Sequence, residues 1–296
     1  MSDQTPAHGL GVWPARLSWL ALAGLVEPAT AQALSGRSTA VAVTGAALAW
    51  GLWTVALVAT LVPRTTSATV YRVIAPGALV VAGWAAASGA GGVAAAVALA
   101  GAVLAVAVAF HPATGDVFID GSSYGPERRL ALRPPAGLLL GPIPLAWALA
   151  FAGFVAGPLL LAARSWIVGA ALVAVGWPVA WLAVGRLHTL ARRWIVLVPA
   201  GLVLHDPLQL ADAALFARRS IVSIAPARID NPALDLSGAA PGLALQVTFD
   251  EPQELSIRRG GRNHPADTVA VEALLCTPTR PARLLDAAAE QRLPTG

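Results

Sequence analysis

Five long stretches of this chain carry no Asp, Glu, Arg or His: residues 39–62, 73–88, 92–110, 137–163 and 166–185. A helix of about 20 apolar residues crosses a hydrocarbon core of ~30 Å. Five such runs predict a helical membrane bundle. The 73–88 run is short on its own, and it reaches full length if Thr69 to Tyr71 join it, with Tyr71 at the headgroup level. Pro142, Pro144, Pro158 and Pro178 are expected to kink the last two spans. Small residues recur at helical spacing in Gly137-x-x-x-Gly141 and Gly153-x-x-x-Gly157, which reads as close packing between helices of one chain.

Composition agrees. Only 12% of residues are charged and the mean hydropathy is +0.67. All twenty basic residues are Arg, and the single Cys excludes a disulfide framework or a Cys-based metal site. A pI near 10.5 could suggest nucleic-acid binding. However, residues 194–296 hold nine Arg against eleven Asp and Glu, a net of −2, so the basic excess lies in the membrane half. No nucleic-acid partner is expected.

If the spans alternate, one side receives Arg64, Arg72, Arg128, Arg129, Arg133, Arg186, Arg192 and Arg193. The other receives Arg37 and Arg164, with Arg16 unassigned. The eight-Arg side is expected to be cytoplasmic, in the plasma membrane, with the loop 111–135 and the C-terminal region on that side. Residues 1–16 read as a tail. Residues 17–35 read either as an uncleaved helix, spanning or interfacial, or as a signal peptide; the weak n-region favours the helix. Glu27 is then the one acid near the bilayer, expected at the outer interface beside a break at Pro28.

The pattern changes in "RRWIVLVPAGLVLHDPLQL". Short β-rich runs and a Pro-Ala-Gly turn replace the long apolar ones. Strands are expected at 194–198, 202–204, 220–224, 243–249, 254–258 and 268–275. A turn is expected at Asp250-Glu251-Pro252-Gln253, with loops at 207–219 and 226–241. A final helix would take Thr279 as its cap and Pro281 in its first turn. The fold class is therefore a membrane helical bundle (36–190) followed by a mostly antiparallel β domain with a C-terminal helix (191–292), then a short tail (293–296).

In the loop, Val117 to Ile119 and Ser123-Tyr124 flank Asp120-Gly121, which predicts a small hairpin. Asp120, Tyr124, Arg128 and Arg129 are candidates for docking this loop on the tail domain or on headgroups; the alternative is an ordinary positive-inside loop. A metal site from Asp116, Asp120 and Glu127 lacks the alternate-residue acids of a calcium loop. In the tail domain, Arg218, Arg219, Arg258, Arg259 and Arg262 form a candidate patch for anionic headgroups or an acidic partner; the alternative is solvated loop charge.

Catalytic signals are weak. None of His8, His111, His188, His205 and His264 pairs with a second His or a Cys at ligand spacing. His205 and Asp206 are neighbours on one strand and point to opposite faces. Ser122-Ser123 lacks a nucleophile elbow, and a chain without Lys has no phosphate loop. No cofactor is expected. A non-enzymatic binding or scaffold module is the leading expectation. A transporter or transport-associated subunit, and a membrane-embedded enzyme, are the alternatives.

The stretches "RWIVLVPAGLVLHD", "RRSIVSI" and "PARLLDAAA" resemble the pleckstrin-homology-like domains of bacterial membrane proteins, over about the last hundred residues. That resemblance implies a seven-stranded fold closed by a helix. With "FIDGSSYGPERRLALR" ahead of it, the whole chain resembles an uncharacterised family of actinobacterial multi-pass membrane proteins. Neither resemblance implies an activity or catalytic residues.

Overall fold

The computed structural model describes residues 8–228, 230–258 and 266–296. The chain divides into a helical unit, residues 8–121 and 144–188, and a sheet unit, residues 122–143 and 189–296. The loop expected at 111–135 is thus shared between them.

In the helical unit, α1 (His8–Ser35), α2 (Thr39–Leu61), α3 (Thr65–Ala87) and α4 (Gly92–Phe110) are followed by the short α5 (Pro112–Asp120). After the four-residue α6 (Ala136–Leu139) come α7 (Pro142–Ala162) and α8 (Trp166–Ala191). Five segments are long and apolar enough to cross a membrane: α2, α3, α4, α6 with α7, and α8. Helix α1 lies antiparallel to α2. Arg16 donates to the Thr60 carbonyl at 3.2 Å, Trp19 meets Trp53, and Leu34 faces Gly45. Arg16, unassigned by sequence, thereby sits at the Arg64 end of α2.

Three expectations change here. First, α1 runs through Pro28 without a break. Proline removes one donor, while the rest of the i→i−4 ladder can continue. Second, α3 begins at Thr65 and takes in Arg72, and α8 extends over Arg186 and His188, so the helices are longer and more polar at one end than the apolar runs. Tyr71 faces the helical core: it is 1% exposed, edge-on to Trp19 and stacked on Phe118. Third, the Asp120-Gly121 hairpin does not form. Pro112 occupies the first turn of a helix, and the His111 ring accepts from the Ala113 N–H at 3.3 Å. Pro at N1 with a capping side chain starts a helix, and Gly121 (φ −61°) lacks the positive φ that a tight hairpin turn needs.

Small residues make the close contacts. Helices α7 and α8 approach backbone to backbone at Gly153 and Gly176, where a Cβ on Gly153 would stand 2.5 Å from the Gly176 carbonyl. Gly137 and Gly141 have open space and make no such approach.

The sheet unit begins with β1 (Arg128–Ala131), drawn from the loop between α5 and α6. Then follow β2 (Trp194–Val198), β3 (Gly201–His205), β4 (Ala214–Ala217), β5 (Ile221–Pro226), β6 (Leu234–Asp235), β7 (Leu245–Ile257), β8 (Asp267–Cys276) and α9 (Pro281–Glu290). One sheet has the order β1-β2-β3-β4, all antiparallel. The other has β5-β7-β8-β6, antiparallel except for the two-residue parallel pairing of β6 with β8.

In the β2–β3 hairpin Val198 pairs Gly201. Gly201 has φ +150°, and a Cβ there would collide with the Phe216 carbonyl, so only glycine fits. The expected turn at 250–253 is absent, and β7 runs straight through Pro252. Its register against β8 slips between Thr248 and Gln253. A bulge absorbs the charged residues and the proline that would otherwise end the strand. The regions expected as loops hold β4 and β6. Helix α9 starts at Pro281 with Arg280 at its N-cap, not Thr279, whose N–H instead donates to the Ala131 carbonyl beside β1.

The two cores differ in kind. Of 18 residues clustered in the helical core, 13 are Ala. Of 23 in the sheet core, two are Ala and most are Leu, Ile, Val or Phe. In the helical unit the large apolar side chains point outward, among them Val55, Leu104, Ile167 and Trp181, all at least half exposed. That is how a bundle packs when its surroundings are as apolar as its side chains.

Candidate functional site

The most constrained polar arrangement is the seam where β1 joins β2 and β3. Leu130 pairs Ile195 and Arg128 pairs Leu197, so the alternation of Leu130 and Leu132 points into the same core as β2. Arg193, just ahead of β2, is 1% exposed and Asp206, just after β3, is 1% exposed. Their side chains form a forked pair: Arg193 Nε donates to Asp206 Oδ1 at 2.8 Å and Nη2 to Oδ2 at 2.6 Å. The remaining guanidinium nitrogen donates to the Arg133 carbonyl, and Asp206 Oδ1 also accepts from the Leu208 N–H at 3.1 Å. Every charge is matched, as a dry site requires. Sequence reasoning counted Arg193 only as one of eight arginines on the side expected to be cytoplasmic. It is instead buried and ties the loop strand to the sheet.

At the rim of this seam His205 stacks on Trp194, with ring centroids 4.8 Å apart, and its Nδ1 lies 2.7 Å from the Arg192 carbonyl. Arg129 lies 6.0 Å from the centre of the Trp194 ring and pairs with Glu127 at 3.3 Å. Of the loop candidates, Arg128 and Arg129 lie on β1, Tyr124 is 81% exposed, and Asp120 ends α5 in the helical unit.

The five-Arg patch is not one surface. Arg218 donates to the carbonyls of Pro199 and Gln291, fastening the end of α9. Arg258 donates to the carbonyls of Leu210 and Ala211. Both guanidinium groups are spent on backbone. Arg219 is exposed, while Arg259 and Arg262 lie outside the described residues, as does His264. His111 and Asp120 belong to the helical unit and His205 to the sheet unit. Among the described residues no three His, Cys, Asp or Glu side chains gather as a metal would need.

The helical unit has a polar end and an apolar cavity. At the polar end the half-buried Arg72 donates to the Ala109 carbonyl at 3.0 Å, covers the Phe110 ring and interacts with the buried Asp116. Thr69 Oγ1 lies 2.8 Å from His188 Nδ1. The cavity, about 650 Å³ and open on one side, is lined by residues of α1, α2, α3 and α7. It was not foreseen in the sequence, where its lining reads as ordinary lipid-facing Ala, Leu and Trp.

No family model matches this chain, and no curated protein or solved structure is found to be similar to it.

Proposed function

We propose that this chain is an integral protein of the plasma membrane in which a pleckstrin-homology-like module, held on the cytoplasmic side, serves as a non-enzymatic binding or scaffold element. The observation that carries this reading is β1. The sheet unit takes its first strand from a loop between membrane-type helices, so it is stitched to the bundle by three passages of the chain. With β1 the sheet unit has eight strands among the described residues, seven of them in antiparallel pairings and β6 short and parallel, and a helix follows; two small sheets and a C-terminal helix support the reading. The Arg bias supports the cytoplasmic side; Arg16 now joins it, while Arg72 and Arg193 no longer count as free loop charge. The partner is expected to be lipid or another membrane protein.

A transporter reading would rest on Arg72 and Asp116. Both cluster by the C-terminal end of α4 and not at mid-span, where coupling groups stand.

The test has two arms. A fluorescent protein and an alkaline phosphatase, each fused after Gly296, report the side of the C-terminus; phosphatase activity would reject the cytoplasmic placement. Photo-crosslinkers at Leu215 and Val222, exposed on the sheet unit, are then activated in native membranes. A reproducible protein or lipid adduct at either position supports the binding role, and adducts at neither reject it for this face.

A further inference from the structure

Strand β5 is an outer strand, because the order β5-β7-β8-β6 leaves one of its sides without a neighbouring strand. An outer strand offers N–H and C=O groups to any other chain, and charge, a bulge or a proline commonly blunts it. In β5 a register shift at Val222 disturbs one end, and Pro226, which has no N–H, closes the other. Between them lies the window Ser223-Ile224-Ala225. No charged residue occurs from 220 to 227, so no charged side chain guards it.

The segment that follows α9 covers this window instead. The Ile224 N–H donates to the Pro294 carbonyl at 2.8 Å, and the Gly296 N–H donates to the Ile224 carbonyl at 3.2 Å. Thr295 thereby lies parallel to Ile224. These bonds show that both backbone groups of Ile224 point out of the sheet edge, while its side chain is buried in the core. The cover is anchored at one end only. Arg218 holds the Gln291 carbonyl, the Gln291 side chain donates to the Pro126 carbonyl at 2.9 Å, and Leu293 is buried in the sheet core. Residues 294–296 beyond that anchor are exposed, and two hydrogen bonds to β5 hold them. They can lift away while Leu293 stays in place.

A second copy of this chain offers the same donor and acceptor. Residues opposite each other in antiparallel strands can exchange both hydrogen bonds. About a two-fold axis at Ile224, each copy would donate to the other's carbonyl, and Ser223 would face Ala225 of the second copy. Two hydrogen bonds would replace two of the same kind, so their number does not choose between the arrangements. The tether does: a short linker holds its end at an effective concentration of about millimolar, which a free second copy does not reach.

We propose that residues 294–296 are a removable cover that keeps β5 from pairing with β5 of a second copy. The cover is thus a control on self-association built into the sheet unit. It stands whatever that unit binds and on whichever side of the membrane it lies.

The test traps paired copies by disulfide formation. Ser223→Cys with Ala225→Cys is introduced into the full chain and into a chain ending at Leu293. Both are oxidised in maltoside detergent, and linked pairs are counted on a non-reducing gel; Cys276 is buried and stays out of reach. Linked pairs should rise by about tenfold or more once the tethered competitor is gone. Gly296→Pro removes one donor and leaves the anchor, so it should give an intermediate rise, and it carries the test if the shortened chain misfolds. Each cysteine alone should link poorly, because the two-fold sets Ser223 opposite Ala225. A rise in neither variant, or single cysteines that link as well as the pair, would overturn the assignment.

Discussion

The helical and sheet units solve the same problem with opposite vocabularies. In the helices, alanine is inside and valine, leucine and tryptophan are outside; in the sheets, the large aliphatic residues are inside. A water-soluble core gains stability from the apolar area it hides, which favours large side chains. A bundle in lipid gains little from hiding them, and it is held by backbones that come close enough for dispersion and carbonyl contacts. The same chain therefore inverts its packing rule where its surroundings change.

That contrast can be broken by substitution. The largest effect is expected at the buried ion pair of the sheet unit. Asp206→Ala leaves Arg193 charged and dry, and should cost about 3–5 kcal/mol, read as faster hydrogen exchange across β2 and β3. The double change Arg193→Met with Asp206→Leu should recover most of that loss. If the single and double variants exchange alike, the pair is not the lock described here.

Next come the two core rules. Leu202→Ala should destabilise the sheet unit by about 2–5 kcal/mol by opening a cavity. Ala102→Leu, an enlargement that a loose core would accept, should cost the helical unit about 1–3 kcal/mol by driving α4 from its neighbours. Thermal unfolding in detergent separates these outcomes, and a harmless Ala102→Leu would contradict the packing difference.

A smaller effect is expected at Cys276, where burial pushes the thiol up to about 12 from an ordinary 9.0. The folded state holds its proton while the unfolded state loses it above pH 9. This contribution to stability is therefore complete below pH 9 and fades as pH rises towards 12. Maleimide labelling of the folded protein at neutral pH should be negligible and become rapid on denaturation. Smallest of all, Trp181→Leu on the outward face of α8 should change stability by less than about 0.5 kcal/mol. A large loss there would mean that this face is covered by protein rather than lipid.

The sequence makes legible whatever is local. Five apolar runs became five candidate spans, and the alternation after Trp194 became β2, β3, β5 and β8 at nearly the expected places. What it hides depends on distant pairing. Leu130 and Leu132 alternate as β2 does, yet nothing in the loop announces a partner some 65 residues onward. Arg193 reads as one more membrane-side arginine until Asp206, 13 residues later, is seen to face it. Pro252 looks like a strand end because the bulge of β7 that tolerates it shows only in the pairing with β8. Of the candidate residues, sequence could propose the loop's Arg128 and Arg129 but could not see that Arg218 and Arg258 were already occupied by carbonyls.

The loop strand also imposes an arithmetic on biogenesis. Between β1 and β2 the chain passes through α7 and α8, and the two strands can hydrogen-bond only if both finish in the same aqueous compartment. An even number of crossings satisfies that; a skipped helix would strand β1 and β2 on opposite faces. Because β1 emerges from the ribosome long before its partner, its edge must wait until α8 has been threaded. Closure of the sheet thus certifies that insertion of the last two helices came out right.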